Sequence, residues 1–485
     1  YLHREPTCQR AERNYFDPYL QVASRLRALT QMGHACDKIE LIILGGSWTD
    51  YSQGYQIWFM TELFRALNEA PVSDETLKAR RERYRMAGID GRDEVLEEQT
   101  REVQCQVNEG VLDYNEAIGS LYGTESPWEH IASWQTADLV ELGEQQRINE
   151  HGAHRVVGLV VETRPETLDV ATLARLRLLG CTKVQIGVQS LRPEVLALNN
   201  RLANEDSLRR AFELLRIFGF KIHTHFMLNL YGSDAEGDRS DYERFVSDAV
   251  FQPDEVKLYP CVLVEGTGLV AKHDAGEWHP YGEDELIALL AHDICVTPAF
   301  TRVSRMIRDI SAQDIIAGSK KTNLRQMVEA SKILHDQPVH EIRYREIAGE
   351  EVDTNDLRLD EVAYETTNTS ERFFQWVTPQ GKIVGFLRLS LPHAEYMTIH
   401  ASELPEELGC AMIREVHVYG QVANLHRADG SAQHLGLGKQ LVERACAIAR
   451  EAGFTRINVI SSVGTRGYYR KLGFVDGTLY QTRDI

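Results

Sequence analysis

The sequence lacks the features that would place it in a membrane or in an oxidising compartment. It contains no run of eighteen apolar residues, so no membrane-spanning helix is expected. Residues 1–6 are polar and include neither an initiator Met nor the apolar core of a secretory signal, so we expect the chain to begin inside a longer natural sequence. Its eight cysteines include no pair at CxxC spacing, which indicates a reducing, cytoplasmic location.

A general surplus of basic residues is also absent. The 485 residues include 53 Lys and Arg against 72 Asp and Glu, and this net charge of -19 argues against a generally basic nucleic-acid binder. Residues 301–345 depart from this balance with nine basic and five acidic side chains. We call them the basic island; such a segment can bind phosphates, although a solvated linker face has the same composition. The candidate RNA contacts are Arg305, Arg308, Lys320, Lys321, Arg325 and Arg345.

Strand and helix patterns alternate through the first half of the chain. Strands that alternate with helices of this kind are typical of a parallel α/β sheet, whose functional side chains lie at the carboxyl ends of the strands. The predicted strands are 39–44, 156–161, 183–187, 221–230 and 255–259, with helices at 168–179 and 204–218. The polar residues at the predicted strand ends are Gly45, Gly46, Glu162, Arg164, Gln189, Asn229 and Lys257.

Two other segments have a different character. Residues 75–101 are strongly charged and predict either an exposed helical excursion or a poorly ordered insertion. After residue 363 the pattern is typical of antiparallel strands. Two apolar runs flank the turn Pro379-Gln380-Gly381 and predict a β-hairpin. The predicted elements of this second half are the hairpin strands 372–377 and 383–389, a strand at 415–419, a helix at 436–452 and a strand at 457–461.

The most informative motif opens the predicted helix at 436–452. The run Gln433-His434-Leu435-Gly436-Leu437-Gly438-Lys439 is a glycine-rich turn whose bare amides, together with the helix dipole, form a site for a pyrophosphate. With a strand before it and Tyr468-Tyr469 after it, the run resembles the acetyl-coenzyme A (acetyl-CoA) site of a GNAT acetyltransferase. The alternative is that the glycines only begin a helix and the tyrosines pack in a core.

Acetyl transfer also requires a polarised thioester carbonyl and a proton for the departing thiolate. The resemblance implies that backbone amides of Val416, His417 and Val418 meet the acetyl group. It also implies that Tyr468 or Tyr469 is the acid. His434 and His417 each have a second interpretation, as a surface turn residue and as an ordinary strand residue.

Seven motifs in the same order make the whole chain resemble the Elongator catalytic subunit family, as a single-chain member of bacterial or archaeal type. The motifs are 14–22, Leu44-Gly45-Gly46-Ser47, 185–190, Lys257-Leu258-Tyr259-Pro260, Asn323-Leu324-Arg325-Gln326, 414–420 and Gly464-Thr465-Arg466. The resemblance implies a radical S-adenosylmethionine (SAM) partial TIM-type barrel followed by a GNAT (α+β) acetyltransferase domain. We place the barrel at 1–260, a linker with the basic island at 261–350 and the GNAT domain at 351–485.

The resemblance also implies a reaction and its partners. Members of the family carboxymethylate carbon five of the wobble uridine (position 34) of transfer RNA (tRNA), with acetyl-CoA and SAM, and release coenzyme A. The anticodon stem-loop would lie on the basic island, and the sequence requires no partner subunit. By position, Gly45 and Gly46 would approach the methionine part of SAM, and Gln189 and Ser190 its ribose. Lys257 would act in the barrel mouth.

Metal sites are the main departure from the family pattern. A radical SAM enzyme holds a four-iron (4Fe-4S) cluster through three closely spaced cysteines, which the family carries upstream of the segment that matches 1–20. No such group occurs here, so we expect this polypeptide not to assemble the cluster. For a linker metal, with zinc as the candidate, the available ligands are Cys261, Cys295 and His340, although buried structural cysteines account for the same pattern.

Two alternatives remain beside tRNA modification. A protein lysine acetyltransferase with a degenerate barrel needs the same cradle for coenzyme A, but it does not need the basic island. A non-catalytic RNA-binding scaffold would not need the glycine turn or Tyr468 and Tyr469.

Overall fold

Two β-sheets organise the chain, and each belongs to one half of it. The computed structural model describes residues 5–485 apart from 90–92, 124–125, 309, 348–351, 353 and 420–433. A six-stranded parallel sheet lies in the first half and a mainly antiparallel seven-stranded sheet in the second. The predicted α/β class, a parallel sheet followed by an antiparallel hairpin domain, is therefore confirmed. No helix among the described residues is long and apolar enough to cross a membrane.

The strands of the first half agree with the predicted positions to within two or three residues. Their strand order along the sheet is β1-β2-β3-β4-β5-β7, with every neighbouring pair parallel. Strands β6 and β8 form a separate ribbon. The bounds are β1 (Lys38–Ile43), β2 (Arg155–Thr163), β3 (Lys183–Gln189), β4 (Lys221–Leu228), β5 (Glu255–Pro260), β6 (Leu263–Val264), β7 (Arg302–Arg305) and β8 (Ile315–Ala317).

Helices connect these strands, because parallel neighbours cannot be joined by a tight turn. Several begin at a polar cap: Asp169 and Asn204 accept hydrogen bonds from amides in the first turn of the helix that follows. The bounds are α1 (Pro6–Arg13), α2 (Pro18–Gln31), α3 (Gln53–Asn68), α4 (Asp74–Met86), α5 (Asp93–Asn108), α6 (Tyr114–Tyr122), α7 (Trp128–Ala132), α8 (Leu139–Asn149), α9 (Val170–Leu178), α10 (Pro193–Leu198), α11 (Glu205–Ile217), α12 (Ala235–Ser247), α13 (Leu269–Asp274), α14 (Glu283–Val296), α15 (Leu324–Glu329), α16 (Lys332–Asp336) and α17 (Ile342–Arg345).

Most of the charged segment 75–101 lies in helices α4 and α5, with a turn at 87–88 after the end of α4. Helix α4 buries Leu77 and Tyr84 in a small core that also contains Tyr15 and Tyr19. The helical alternative is therefore confirmed. The parallel sheet also continues past residue 260, since β7 is its edge strand. The domain boundaries themselves remain predictions.

The second half contains the predicted hairpin and the long helix. Strands β10 and β11 pair antiparallel over most of their length, and β12 with β13 is the one parallel pair among the described strands of this sheet. The strand order is β14-β15-β13-β12-β11-β10-β9. The bounds are β9 (Arg358–Glu365), β10 (Thr369–Val377), β11 (Ile383–Pro392), α18 (Ala394–Ile399), β12 (Ala411–Val418), α19 (His434–Glu451), β13 (Arg456–Val459), α20 (Arg466–Lys471), β14 (Val475–Asp476) and β15 (Gln481–Asp484).

A buried ion network joins the two sheets. Asp254, which directly precedes β5, accepts two hydrogen bonds from Arg414 on β12, at 2.6 and 2.8 Å, and pairs with Arg388 on β11 at 3.2 Å. Arg414 also donates to Glu371 at 2.8 Å, and Arg216 of α11 lies 4.0 Å from the same carboxylate. All five side chains are fully buried. The two halves therefore meet at charged groups that neither half satisfies alone.

Candidate active site

An opening between two parallel strands forms the centre of the second half. Strand β12 pairs with β13 only at Ala411, Met412 and Ile413, whereas on its other side it stays paired with β11 as far as Val418. Among the described residues, the β13 edge of β12 beyond Ile413 has no strand partner. The predicted segment 416–418 lies at this open edge, where its backbone is available to a ligand.

The start of α19 lies beside this opening. A methyl group added to Gly438 would come 2.9 Å from the Tyr468 hydroxyl and 3.9 Å from a methyl of Val418, so only a glycine permits this close approach. The indole of Trp376 donates to the Leu437 carbonyl at 3.4 Å. Gly436 has open space around its Cα, and Lys439 is exposed. These are the properties of an anion site at a helix N-terminus.

The first three residues of the predicted cradle cannot be compared with the structure in full. Gln433 lies outside the described residues. His434 and Leu435 belong to the first turn of α19, but their side chains are not among the described ones. Their predicted roles as cofactor contacts remain predictions.

The two tyrosines of α20 have different surroundings. Tyr469 is 7% exposed and packs edge-on against Phe474 inside the core of the second half. Tyr468 is only half-buried and directs its hydroxyl towards Gly438. Burial raises the pKa of Tyr468 above its ordinary value, so its phenol carries a proton at neutral pH. Of the two candidate acids, Tyr468 therefore lies at the opening.

The ring of His417 lies on the opposite face of the sheet from α19. It stacks on Phe386 at 5.5 Å and contacts Tyr419 edge-on at 4.6 Å, while Val416 and Val418 pack on the α19 side. Successive side chains of a strand alternate between faces, which explains this division. His417 is thus placed to contribute its backbone to the opening, and its ring contacts other residues.

The turns that follow β1 and β3 are conformationally unusual. Gly45 and Gly46 have φ of 106° and 59°, in the left-handed region that favours glycine. Gln189 has φ of 70°, which costs energy for a residue with a side chain and is a recurrent feature of binding sites. The neighbouring Ser190 is buried and donates its hydroxyl to Asp241 at 2.5 Å. Ser190 therefore supports the turn, and its place near the ribose of SAM remains a prediction.

Lys257 of β5 belongs to a polar cluster inside the parallel sheet. Its Nζ donates to Gln185 Oε1 of β3 at 2.6 Å, and His225 Nε2 of β4 lies 3.2 Å from the same oxygen. Burial, together with Arg305, lowers the pKa of Lys257 to about 8, although Glu162 opposes this shift. Burial and the charge of Lys257 hold the pKa of His225 well below its ordinary value, so that histidine is neutral.

Sequence reasoning did not single out Gln185 or His225. The available signal was a polar residue at alternate positions within otherwise apolar strands, since such side chains face the interior of a sheet that curves towards a barrel. Gln185, His225 and Lys257 lie on three neighbouring strands, with His225 in register with Lys257.

The basic island divides into two groups. Arg325 donates to the Val303 carbonyl and pairs with Glu329 and Glu341, while Arg345 donates to two backbone carbonyls. These two arginines bind other parts of the chain, which corrects their prediction as open phosphate contacts. Arg308, Lys320 and Lys321 are exposed, with Lys321 Nζ paired to Glu283 at 3.3 Å, and Arg305 is partly exposed. Arg305 and Arg308 also lie near the polar cluster. The charge of Arg305 lowers the pKa of Lys257, and that of Arg308 lowers the pKa of His225.

The predicted linker metal site is not formed. Among the described residues no three His, Cys, Asp or Glu side chains are grouped so as to hold a metal ion, and Cys261, Cys295 and His340 are all described. Burial raises the pKa of Cys261 to about 11 and also raises that of Cys295, so both thiols are protonated at neutral pH. In the part of the chain that the structure describes, no three cysteines are grouped so as to hold a 4Fe-4S cluster.

The motif Gly464-Thr465-Arg466 has a structural role at the junction of the two halves. A methyl group on Gly464 would come 2.8 Å from the carbonyl of Val156 on β2, and Arg466 pairs with Glu150 after α8 at 3.3 Å. The glycine is needed because two backbones approach each other there. This motif positions α20, and with it Tyr468, against the first half.

Two family models match the chain, one over its middle and one over its later part. The radical SAM C-terminal domain matches residues 253–334, and the acetyltransferase (GNAT) family matches residues 339–474. The first match includes Lys257 and most of the basic island. The second includes β12, the start of α19 and both tyrosines of α20.

Known proteins match this chain over almost its whole length. The tRNA uridine(34) acetyltransferase of Methanocaldococcus jannaschii is 31% identical over 484 residues, which are 98% of this chain and 76% of the relative. That of Dehalococcoides mccartyi is 31% identical over 482 residues, with 98% and 89% covered. The solved structure of Methanocaldococcus infernus Elp3 with residues 1-46 deleted has a TM-score of 0.76 and 29% identity, and the match covers 97% of this chain and 96% of that one. The resemblance inferred from the motifs is confirmed, and the chain belongs to the family of the tRNA uridine(34) acetyltransferases and Elongator complex protein 3.

Proposed function

We propose that this chain is a tRNA-modifying enzyme that uses acetyl-CoA to modify the wobble uridine, position 34, at carbon five. The observation that carries the proposal is the match to tRNA uridine(34) acetyltransferases over 98–100% of the chain, across both sheets. Carboxymethyluridine as the product is the finer part of the proposal. We also propose that the protein acts in the cytoplasm, because its substrate is tRNA.

In the second half, the residues would act on acetyl-CoA as follows. The amides that begin α19 bind the pyrophosphate, and the open edge of β12 binds the acetyl end through its backbone. When the acetyl group leaves, the coenzyme A sulfur carries the electron pair of the broken bond. Tyr468 then donates its phenolic proton to that thiolate, since its raised pKa keeps it protonated until this step.

In the first half, the turns after β1 and β3 would hold SAM, with Gly45, Gly46 and Gln189 as contacts. Activation of the acetyl group by SAM would also need a one-electron reductant, which the family obtains from a 4Fe-4S cluster, so the proposal assigns these residues the binding of SAM and no radical step. The target uridine would enter beside Lys257. Arg305, Arg308, Lys320 and Lys321 would bind phosphates of the anticodon stem-loop, which positions the RNA without reading its sequence.

Acetyl-CoA hydrolysis by this chain should increase when tRNA is added. The expectation follows from the proposed function, in which the acetyl group is activated for an RNA acceptor. Release of coenzyme A is measured with a thiol reagent, with tRNA, with a lysine peptide and with neither. Turnover that ignores tRNA but rises with the peptide would instead identify a protein lysine acetyltransferase.

Replacement of Tyr468 with Phe should slow tRNA-stimulated hydrolysis by about 100-fold, the contribution of a general acid. Tyr469→Phe is the matched control, because it removes the same atom from a buried ring that packs on Phe474. It should retain wild-type turnover. The two variants are compared by steady-state coenzyme A release, with acetyl-CoA affinity measured separately by calorimetry. Full turnover by Tyr468→Phe would mean that water or another group supplies the proton.

A further inference from the structure

Strand β12 contains one extra residue at the point where it leaves β13. Arg388 of β11 lies opposite Glu415. The next residue of β11, Leu389, lies opposite Ile413, so Arg414 has no counterpart across this pair of strands. Among the described residues, the pairing of β12 with β13 stops at the same place, after Ile413. Such a β-bulge bends a strand, and β-bulges are frequent beside active sites.

The extra residue turns two successive side chains to the same side of the sheet. Ile413 and Val416 pack in the core around α19. Arg414 and Glu415, which lie between them, both face the first half of the chain. In an unbroken strand the sides would alternate, and Glu415 would face the apolar core instead. The bulge therefore directs two neighbouring charged side chains towards the first half.

Groups of the first half bind both of these side chains. Arg414 donates to the Phe220 carbonyl, directly before β4, at 3.2 Å, in addition to its bonds within the buried ion network. Lys221, the first residue of β4, donates to Glu415. The same carboxylate accepts from Arg388 of β11 at 2.9 Å. Both residues of the bulge are therefore tied to the start of β4.

Lys221 is itself held by a second carboxylate. Its Nζ lies 2.8 Å from Glu255, the first residue of β5, and the side chains of Lys221 and Glu415 are each 13% exposed. Burial would raise the pKa of Glu415, but Lys221 and Arg388 hold it below its ordinary value, so this carboxylate is charged at neutral pH. A buried charge between two cations has few alternative positions, because movement would leave a charge unpaired.

The open edge of β12 begins directly after this contact. Val416, His417 and Val418 follow Glu415 along the strand, so a displacement of Glu415 displaces their backbone. We propose that Glu415 is a positioning residue for the acetyl group: held by Lys221 of the first half, it fixes the backbone of this edge. The inference rests on the proposed function and adds the contact through which the first half sets the acetyl site of the second.

Glu415→Gln should lower the turnover of acetyl-CoA at saturation by at least about tenfold, because donors to a developing oxyanion act only when they are aligned. The affinity for coenzyme A, which has no acetyl group, should stay within about twofold, since its pyrophosphate binds at α19. Steady-state release of coenzyme A by the full chain gives the turnover, and calorimetry with coenzyme A gives the affinity. A purely structural role would weaken both together.

A second variant removes the same contact from the first half. Lys221→Met should show the same loss of turnover with unchanged coenzyme A affinity. Glu403→Gln is the matched control, because Glu403 also pairs across the two halves, with Arg210 of α11 at 2.6 Å, but lies outside β12. It should keep wild-type turnover.

The outcomes separate the inference from the proposed function. Full turnover by either Glu415→Gln or Lys221→Met, with tRNA-stimulated hydrolysis intact, would overturn the inference and leave the proposed function standing. Equal losses of turnover and of coenzyme A affinity would also overturn it, because the pair would then support only the fold. A wild-type chain that does not hydrolyse acetyl-CoA in the presence of tRNA would overturn both.

Discussion

Asp254→Asn should lower the free energy of unfolding by about 3–5 kcal/mol, the cost of breaking a buried ion pair from one side. The substitution keeps the shape of the side chain but leaves Arg414 and Arg388 buried opposite a neutral amide. It also weakens the acceptor for the Ile222 amide, which bonds the same carboxylate at 2.8 Å. Urea denaturation measures the effect: the midpoint of the transition should fall while the dependence of the free energy on urea concentration stays the same.

Acid should remove the contribution of Asp254. Burial alone would raise its pKa, but Arg414 and Arg388 attract the charged form and hold the pKa below its ordinary value. A depressed carboxyl pKa gives stability that is present above the unfolded value, about 3.9, and lost as the pH falls through the folded value. The difference in the free energy of unfolding between Asp254→Asn and the wild type should therefore be constant from about pH 5 to 8 and shrink below about pH 4.

A matched substitution separates this effect from a general change of charge. Asp336→Asn, at the exposed end of α16, removes one negative charge outside the ion network. It should change the free energy of unfolding by no more than about 0.5 kcal/mol. If both variants were equally stable, the ion network would not hold the halves together.

Arg305→Glu combined with Arg308→Glu should weaken tRNA binding roughly 100-fold at ~0.1 M salt. The slope of the logarithm of the binding constant against the logarithm of the salt concentration should also become shallower by about two. Arg308 is exposed, Arg305 is partly exposed, and both lie near the polar cluster around Lys257. Each reversal removes an attraction to phosphate and adds a repulsion. Gel-shift titration at several salt concentrations measures the change.

The control for this double variant has the same net charge. Arg147→Glu with Arg209→Glu reverses an exposed arginine on helix α8 and a partly exposed one on helix α11. It should leave tRNA affinity within about twofold, because only contacts within a Debye length of the RNA matter at this ionic strength. Acetyl-CoA affinity should be unchanged in both variants. Unaltered tRNA binding by the Arg305 and Arg308 variant would remove this surface from the proposal.

Local patterns in the sequence were sufficient for the elements of the second half. The runs at 372–377 and 383–389 form β10 and β11, and the glycines at 436 and 438 begin α19, as predicted. The choice between Tyr468 and Tyr469 was not available from sequence. Adjacent helical residues point about 100° apart, so one of the two must leave the opening, and the packing of Phe474 decides which.

Contacts between distant segments account for the other differences. Arg325 and Arg345 have the composition of phosphate contacts, but the fold places backbone carbonyls within reach of both. Cys261, Cys295 and His340 belong to one stretch of sequence, yet the structure brings no three ligands together among the described residues. Composition gives the type of a side chain but not the partner that it will meet.

Sequence motifs alone were enough to predict the family, the parallel and antiparallel sheets and the glycine cradle beside a tyrosine pair. These depend on motifs of a few residues and on the periods of strands and helices, which are local properties. Only the tertiary structure decided that Asp254 and Arg414, 160 positions apart, share a buried ion pair. It alone also decided that Gln185, His225 and Lys257 share one oxygen. Parallel strands bring distant segments side by side, and the orientation of each side chain then depends on the partners that it meets there.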